Sequence, residues 1–209
     1  MLYLIGGPPR TGKTTLAAAL AQRTSFPYFS IDHIAQVIIP YIPEPDHSSK
    51  LPLRVAIQEA EYSNDVFYRK YSPEQVVALY QGQATTVWAG VENFIKYALN
   101  ADHDLILEGW QIIPSKLRSI IKAGDHVRVV FLYKLRELDI VSGLKSHTAK
   151  NDWVITNTQK EDTFHAIGKM IGCFGAVIER EAATNDFRAV NTDVDFHGTI
   201  LQMVEFLLK

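Results

Sequence analysis

Residues Gly7-Pro8-Pro9-Arg10-Thr11-Gly12-Lys13-Thr14 constrain the fold more than any other stretch of the chain. They follow at once on an apolar run, Leu2-Tyr3-Leu4-Ile5, and lead through Thr15 into an Ala/Leu-rich segment that ends near Gln22. Gly7 and Gly12 admit backbone angles and close approaches that a Cβ forbids, so consecutive N–H groups can turn inward toward one point. The helix that follows presents the positive end of its dipole to the same point. Such a concavity suits a polyanion. Lys13 adds a mobile positive charge, and the Thr14 hydroxyl suits a hard divalent cation.

The spacing is G-x-x-x-x-G-K-[ST], the P-loop or Walker A motif, in the strand-loop-helix setting that the motif requires. It predicts that Gly7, Pro8, Pro9, Arg10, Thr11, Gly12, Lys13, Thr14 and Thr15 hold the phosphates of ATP. Lys13 then bridges the β and γ phosphates, Thr14 ligates Mg²⁺ and Thr15 lies near the α-phosphate. The alternative, a glycine-rich turn with an incidental lysine, gives no reason for a match at every fixed position.

Five apolar runs punctuate the chain: Leu2 to Ile5, Phe26 to Ile31, Leu105 to Leu107, Val127 to Tyr133 and Phe187 to Val190. Continuous apolar runs suit strands buried on both faces of a parallel sheet. Helical stripes lie between them, through Val76, Tyr80, Val87, Val91 and Ile95, through Phe164, Ile167, Ile171, Phe174 and Ile178, and through Ile200 and Val204. Alternating strands and helices predict an α/β fold in a single domain, 1–209. Two stretches break the rhythm. Residues 40–52 hold four prolines and read as a loop ahead of a helical region, so 40–101 is expected to project as an insert. Ser142 to Thr158 is polar and broken by Gly143 and Asn151-Asp152, which predicts a flap.

With 21 Lys+Arg against 23 Asp+Glu, the 209-residue chain carries a formal charge of −2 and lacks the basic excess of a dedicated nucleic-acid binder. Its one cysteine, Cys173, permits no internal disulfide. The N-terminal apolar run is too short for a signal peptide, and no run approaches the roughly 20 residues of a membrane span. The expectation is a cytoplasmic protein with no membrane partner.

The P-loop, Phe29-Ser30-Ile31-Asp32-His33-Ile34 and Leu105-Ile106-Leu107-Glu108-Gly109 together resemble the small P-loop kinases of the nucleoside monophosphate kinase-like group. Within it the pattern is similar to 2-phosphoglycerate kinase-like and shikimate kinase-like proteins and to the chloramphenicol phosphotransferase and zeta-toxin branch. The resemblance implies a three-layer α/β/α P-loop NTPase fold with a five-stranded parallel sheet in the order 2-3-1-4-5. It also implies an acceptor-binding helical insert after the second strand (about 40–101) and a lid after the fourth (about 136–158). The implied activity is transfer of the γ-phosphoryl group of ATP, with Mg²⁺, to a small anionic acceptor. A regulatory P-loop ATPase without a small-molecule acceptor is the alternative.

The resemblance gives Asp32 the position of the carboxylate that binds the acceptor hydroxyl and takes its proton; the plainer reading is a helix N-cap. Glu108 ends an apolar strand, where it holds Mg²⁺ or orients the acceptor, or else caps the following loop. Gly109 lets the substrate approach, and Trp110 and Gln111 line the acceptor pocket or join the core. Arg54, with Lys50 nearby, is the candidate for gripping an anionic acceptor group, against a solvated surface charge. In the lid, Arg136 is the only arginine, and Lys145, with Lys150 beyond it, stands where the family often has another. These two, Arg136 and Lys145, are the candidates to cover the transferring phosphoryl group, although lysine lacks the planar fork. Trp153 either closes over the site or anchors the flap. Asn191, Thr192 and Asp193 fall where the fold borders adenine, with a helix cap at Asp193 or Asp195 as the alternative.

Overall fold

The computed structural model describes residues 1–146 and 152–209. His147 and Lys150 of the expected lid lie outside the described residues. In chain order the elements are β1 (Leu2–Gly6), α1 (Lys13–Thr24), β2 (Tyr28–Ser30), α2 (Ile31–Ile38), α3 (His47–Lys50), α4 (Pro52–Glu59), α5 (Asn64–Lys70), α6 (Pro73–Asn100), β3 (Leu105–Gly109), α7 (Pro114–Arg118), β4 (Val127–Tyr133), α8 (Glu137–Ser146), α9 (Trp153–Thr156), α10 (Glu161–Thr184), β5 (Arg188–Asn191) and α11 (Phe196–Leu208).

The strands form one parallel sheet in the order β2-β3-β1-β4-β5, as the resemblance implies. A single rung runs across it through Ser30, Glu108, Ile5, Val130 and Arg188. Side chains alternate between two cores, as the period of a strand requires. Tyr3, Ile5, Ile106, Val130 and Leu132 pack with Leu16 and Leu20 of α1 and with Ile200, Met203 and Val204 of α11. Leu2, Leu4, Leu107 and Phe131 face the opposite way, toward Val87, Val91 and Ile95 of α6 and Ile167, Ile171 and Phe174 of α10. Helices therefore cover both faces, which places the strand C-termini at an open rim where a ligand can bind.

The insert is helical throughout its core. α6 begins with a capping box: Ser72 Oγ accepts from Gln75 N at 3.3 Å, Gln75 Oε1 accepts from Ser72 N at 2.8 Å, and Pro73 fills the first turn.

Three expectations change. The second strand covers only Tyr28–Ser30, because Ser30 accepts from Asp32 N and caps α2, which starts at Ile31. The proline-rich stretch is not an irregular loop. Pro40, Pro45 and Pro52 occupy the first positions of successive helical turns, at Ile39–Tyr41, Glu44–Asp46 and α4, where a missing N–H leaves no bond unmade. Ser142 to Ser146 belongs to α8, whose Ile140, Val141 and Leu144 are buried, with Val141 and Glu137 close against Gly168 of α10.

Candidate active site

The loop between β1 and α1 forms the floor. Gly7 has φ 132°, and a Cβ there would strike the Leu132 carbonyl oxygen of β4. Gly12 has φ 97°, and its Cβ would meet the ring of Phe196. At both positions the geometry demands glycine. Arg10 also takes a left-handed φ, 67°, without that excuse. Lys13 is buried and its Nζ donates to Pro8 O at 2.6 Å, a carbonyl that also accepts from Thr11 Oγ1 at 3.0 Å. Burial lowers the Lys13 pKa, and the neighbouring carboxylates of Glu108 and Asp32 partly offset the effect. Thr15 lies exposed on the first turn of α1.

β3 delivers Glu108, buried to 5 % exposure, with Oε1 3.3 Å from the Thr14 hydroxyl. A hydroxyl and a carboxylate in contact, beside a phosphate-shaped loop, form the hard-oxygen set that suits Mg²⁺. Among the described residues there is no group of three or more His, Cys, Asp or Glu to make an all-protein metal cage. Thr14 and Glu108 could therefore supply only part of the shell of a bound Mg²⁺.

β2 and the start of α2 deliver Asp32 to the same rim. It is exposed and sits at the second position of α2, so the cap role belongs to Ser30. Asp32 Oδ1 accepts from Trp110 Nε1 at 3.0 Å and from Gln111 Nε2 at 2.7 Å. Trp110 in turn packs edge-on against Tyr80 of α6, with ring centroids 4.9 Å apart, and Tyr80 lies 5.8 Å from Phe174 of α10. Burial raises the phenols of Tyr80 and Tyr68, so both remain protonated hydrogen-bond donors in the working pH range. Gly109 is buried beneath this group, with Ile31 and Gln111 where a Cβ would be.

The remaining expected residues are placed as follows. Arg54 is half-buried, has no ion-pair partner among the described residues, and its backbone N–H donates to Gln83 Oε1 at 2.9 Å. Lys50 is exposed and pairs with Asp46 at 2.8 Å. Arg136 pairs with Asp139 at 2.9 Å, and Lys145 pairs with Glu161 while lying 5.4 Å from the Phe164 ring centroid. Both lid cations are thus engaged by carboxylates on α8 or α10. Trp153 is an anchor: half-buried, packed against the core, with its carbonyl accepting from Asn64 Nδ2 at 3.0 Å. On the far side, Thr192 is buried and its hydroxyl lies 3.0 Å from Thr11 O and 3.2 Å from Tyr133 O. Asp193 Oδ2 accepts from the N–H groups of Leu135 and Arg136 at 2.8 and 3.1 Å, and Asn191 Oδ1 accepts from Asp193 N at 2.7 Å. The Thr192 and Asp193 side chains thus bind backbone groups of the phosphate loop, of the end of β4 and of the segment after it, and the N-cap of α11 is Asp195, whose Oδ1 accepts from Gly198 N at 3.1 Å.

Sequence reasoning misses two features. Asp152 forms an ion pair with Arg10 of the loop, and nothing in the spacing of the two residues announces it. Lys134, directly after β4, lies 5.4 Å from the Phe196 ring centroid; burial lowers its pKa, against the pull of Asp193 and Asp139. Its position at a strand C-terminus next to the loop was the available clue.

The family model of the ATPase family associated with various cellular activities (AAA) matches residues 3–60, which span the loop, both flanking elements and the start of the insert. No curated protein matches the chain. Among solved structures, shikimate kinase from Bacteroides thetaiotaomicron aligns over 100% of this chain and 99% of its own, at 13% identity and a TM-score of 0.51. Deoxyadenosine kinase from M. mycoides with bound dATP aligns over 100% of both chains at 10% identity and a TM-score of 0.50. The chain therefore has the fold of the small P-loop kinases, with the sheet order and helical layers expected of it. No helix among the described residues is long and apolar enough to cross a membrane.

Proposed function

We propose that this chain is an ATP-dependent kinase that transfers the γ-phosphoryl group to a small anionic acceptor. The observation that carries this reading is Asp32: a carboxylate at the rim, gripped on one oxygen by Trp110 and Gln111 and close enough to the loop lysine to act on its charge. The aromatic contact from Trp110 to Tyr80 of α6 beside that carboxylate suits an organic acceptor better than water.

In this reading the loop N–H groups and Lys13 hold the β and γ phosphates, and the end of α1 adds its dipole. Thr14 and Glu108 would hold Mg²⁺, which neutralises charge on the transferring group. Asp32 orients the acceptor hydroxyl and accepts its proton, while Trp110, packed on Tyr80, gives the site an aromatic side. Arg54, without a carboxylate partner among the described residues, is available to an acceptor anion. Most of the acceleration comes from positioning and fixed charge.

A regulatory ATPase is the second reading, and one observation favours it: Arg136 and Lys145 are tied to Asp139 and Glu161 rather than open to the loop. ATP consumption over a panel of phosphorylated and carboxylated hydroxyl compounds, with Lys13→Ala as control, separates the two. Stimulation by an acceptor, absent in the control, is the kinase result. A constant low turnover across the panel is the ATPase result and overturns the proposal.

A further inference from the structure

Asp152 is a buried carboxylate, with 1% side-chain exposure, and its partner Arg10 is 20% exposed. A buried carboxylate is costly unless its charge is matched and its lone pairs are used. Here one oxygen meets the Arg10 guanidinium and the other accepts from Val154 N at 3.0 Å, capping α9. Arg10 holds a left-handed backbone angle that glycine would adopt without strain, so its side chain is retained at a conformational cost. Among the described residues Asp152 is its only hydrogen-bond partner, which leaves the rest of the guanidinium fork for another anion.

The other end of this segment is fixed to the insert. Asn64, buried at the start of α5, donates through Nδ2 to Trp153 O and to Thr158 Oγ1, each at 3.0 Å, and its backbone N–H donates to Asn157 O at 2.9 Å. Asp65 accepts from the N–H groups of Gln159 and Lys160 at 3.1 and 3.2 Å. Residues 152–160 thus run from a contact on the phosphate loop to several contacts on the insert.

We propose that Asp152 is a positioning residue that couples the nucleotide site to the insert: it sets Arg10 against the bound phosphates and, through α9, transmits their presence to α5. The inference rests on the nucleotide-binding part of the reading above and needs no knowledge of the acceptor. Asp152 holds the Arg10 guanidinium in place beforehand, so a phosphate that meets it orders less side chain on binding, and by linkage a bound phosphate favours the Arg10–Asp152 contact in turn.

The test is hydrogen–deuterium exchange on the full chain with and without the non-hydrolysable analogue AMP-PNP and Mg²⁺. In the native chain the analogue slows exchange at the Asn64 and α5 amides about tenfold, within the usual range of coupling between sites. In Asp152→Asn and in Arg10→Gly at saturating analogue that slowing disappears, and by reciprocity affinity for the analogue falls by the same factor. A purely structural Asp152 would alter α5 exchange equally with and without the analogue, so an unchanged ratio in the two variants overturns the coupling. Lys13→Ala separates the two claims. If it binds the analogue like the native chain, the nucleotide reading fails and the coupling with it. If it loses binding while Asp152→Asn keeps the native ratio, the coupling alone fails.

Discussion

Trp110 Nε1 and Gln111 Nε2 converge on the same oxygen of Asp32, Oδ1, at 3.0 and 2.7 Å. Two donors on one oxygen fix the carboxylate plane and leave Oδ2 as the acceptor for an incoming hydroxyl proton. Asp32→Asn keeps the shape and removes the base, so turnover with the acceptor falls about 10²- to 10⁴-fold, while AMP-PNP affinity stays near native in a direct titration. Trp110→Phe removes one donor and costs about tenfold in turnover.

Lys13 carries a charge that burial disfavours, since its folded pKa lies below the ordinary 10.5. The unfolded chain binds that proton more readily, so protonation of Lys13 subtracts stability below its folded pKa, and stability recovers as pH rises toward 10.5. Lys13→Met abolishes nucleotide binding yet raises the melting temperature by about 2–4 °C for each kcal/mol relieved. Pro8 O, left by Nζ, still accepts from Thr11 Oγ1. Thermal melts with and without ATP check both halves.

Glu108→Gln keeps a contact to Thr14 but removes the charge that suits a divalent cation. Half-saturating Mg²⁺ for ATP turnover is expected to rise about tenfold or more, read from a Mg²⁺ titration at fixed ATP.

Thr192→Val deletes a buried hydroxyl that lies against Thr11 O and Tyr133 O. The expected cost is about 1–3 kcal/mol in chemical denaturation, with weaker AMP-PNP binding because Thr11 loses its outer tether.

Tyr133 donates to Glu179 Oε1 at 2.5 Å, and burial, with the neighbouring Glu179 carboxylate, pushes its phenol up to about 12. A proton held more firmly in the folded state contributes stability fully below pH 10.0 and loses it as pH rises through about 12. Denaturation midpoints measured between these values fall in the native chain and fall less in Tyr133→Phe.

The phosphate loop and the places of Asp32 and Glu108 were legible in the sequence because each depends on local pattern, whereas the sheet order followed only from the resemblance. The loop needs glycines at fixed spacing, and the two carboxylates sit at the ends of apolar runs. Residues whose meaning depends on distant partners were not. Arg10 and Asp152 are far apart in sequence, and only the path of α9 brings them together. Thr192 falls where the resemblance places adenine, but its side-chain contact with Thr11 O joins residues far apart in the sequence. Lys145 has a charge suited to phosphate, yet Glu161 on a neighbouring helix claims it. The composition of 40–52 says loop, whereas three of its prolines stand at the first or second position of a helical turn, where no N–H bond is lost.

The rung through Ser30, Glu108 and Ile5 has a consequence for how such a chain tolerates insertions and deletions. Glu108 lies on that rung, and Asp32 and Gly7 lie two residues beyond it, after β2 and β1. Segments between the strands can lengthen or shorten, as the insert has, without disturbing the alignment. Loss or gain of one residue inside β1 or β3 turns Glu108 away from Thr14 and moves Gly7 relative to the Leu132 carbonyl, so both changes fall on the same site. Length variation should therefore accumulate in 40–101 and in the loops on the opposite rim, and be absent from the last residues of the three strands.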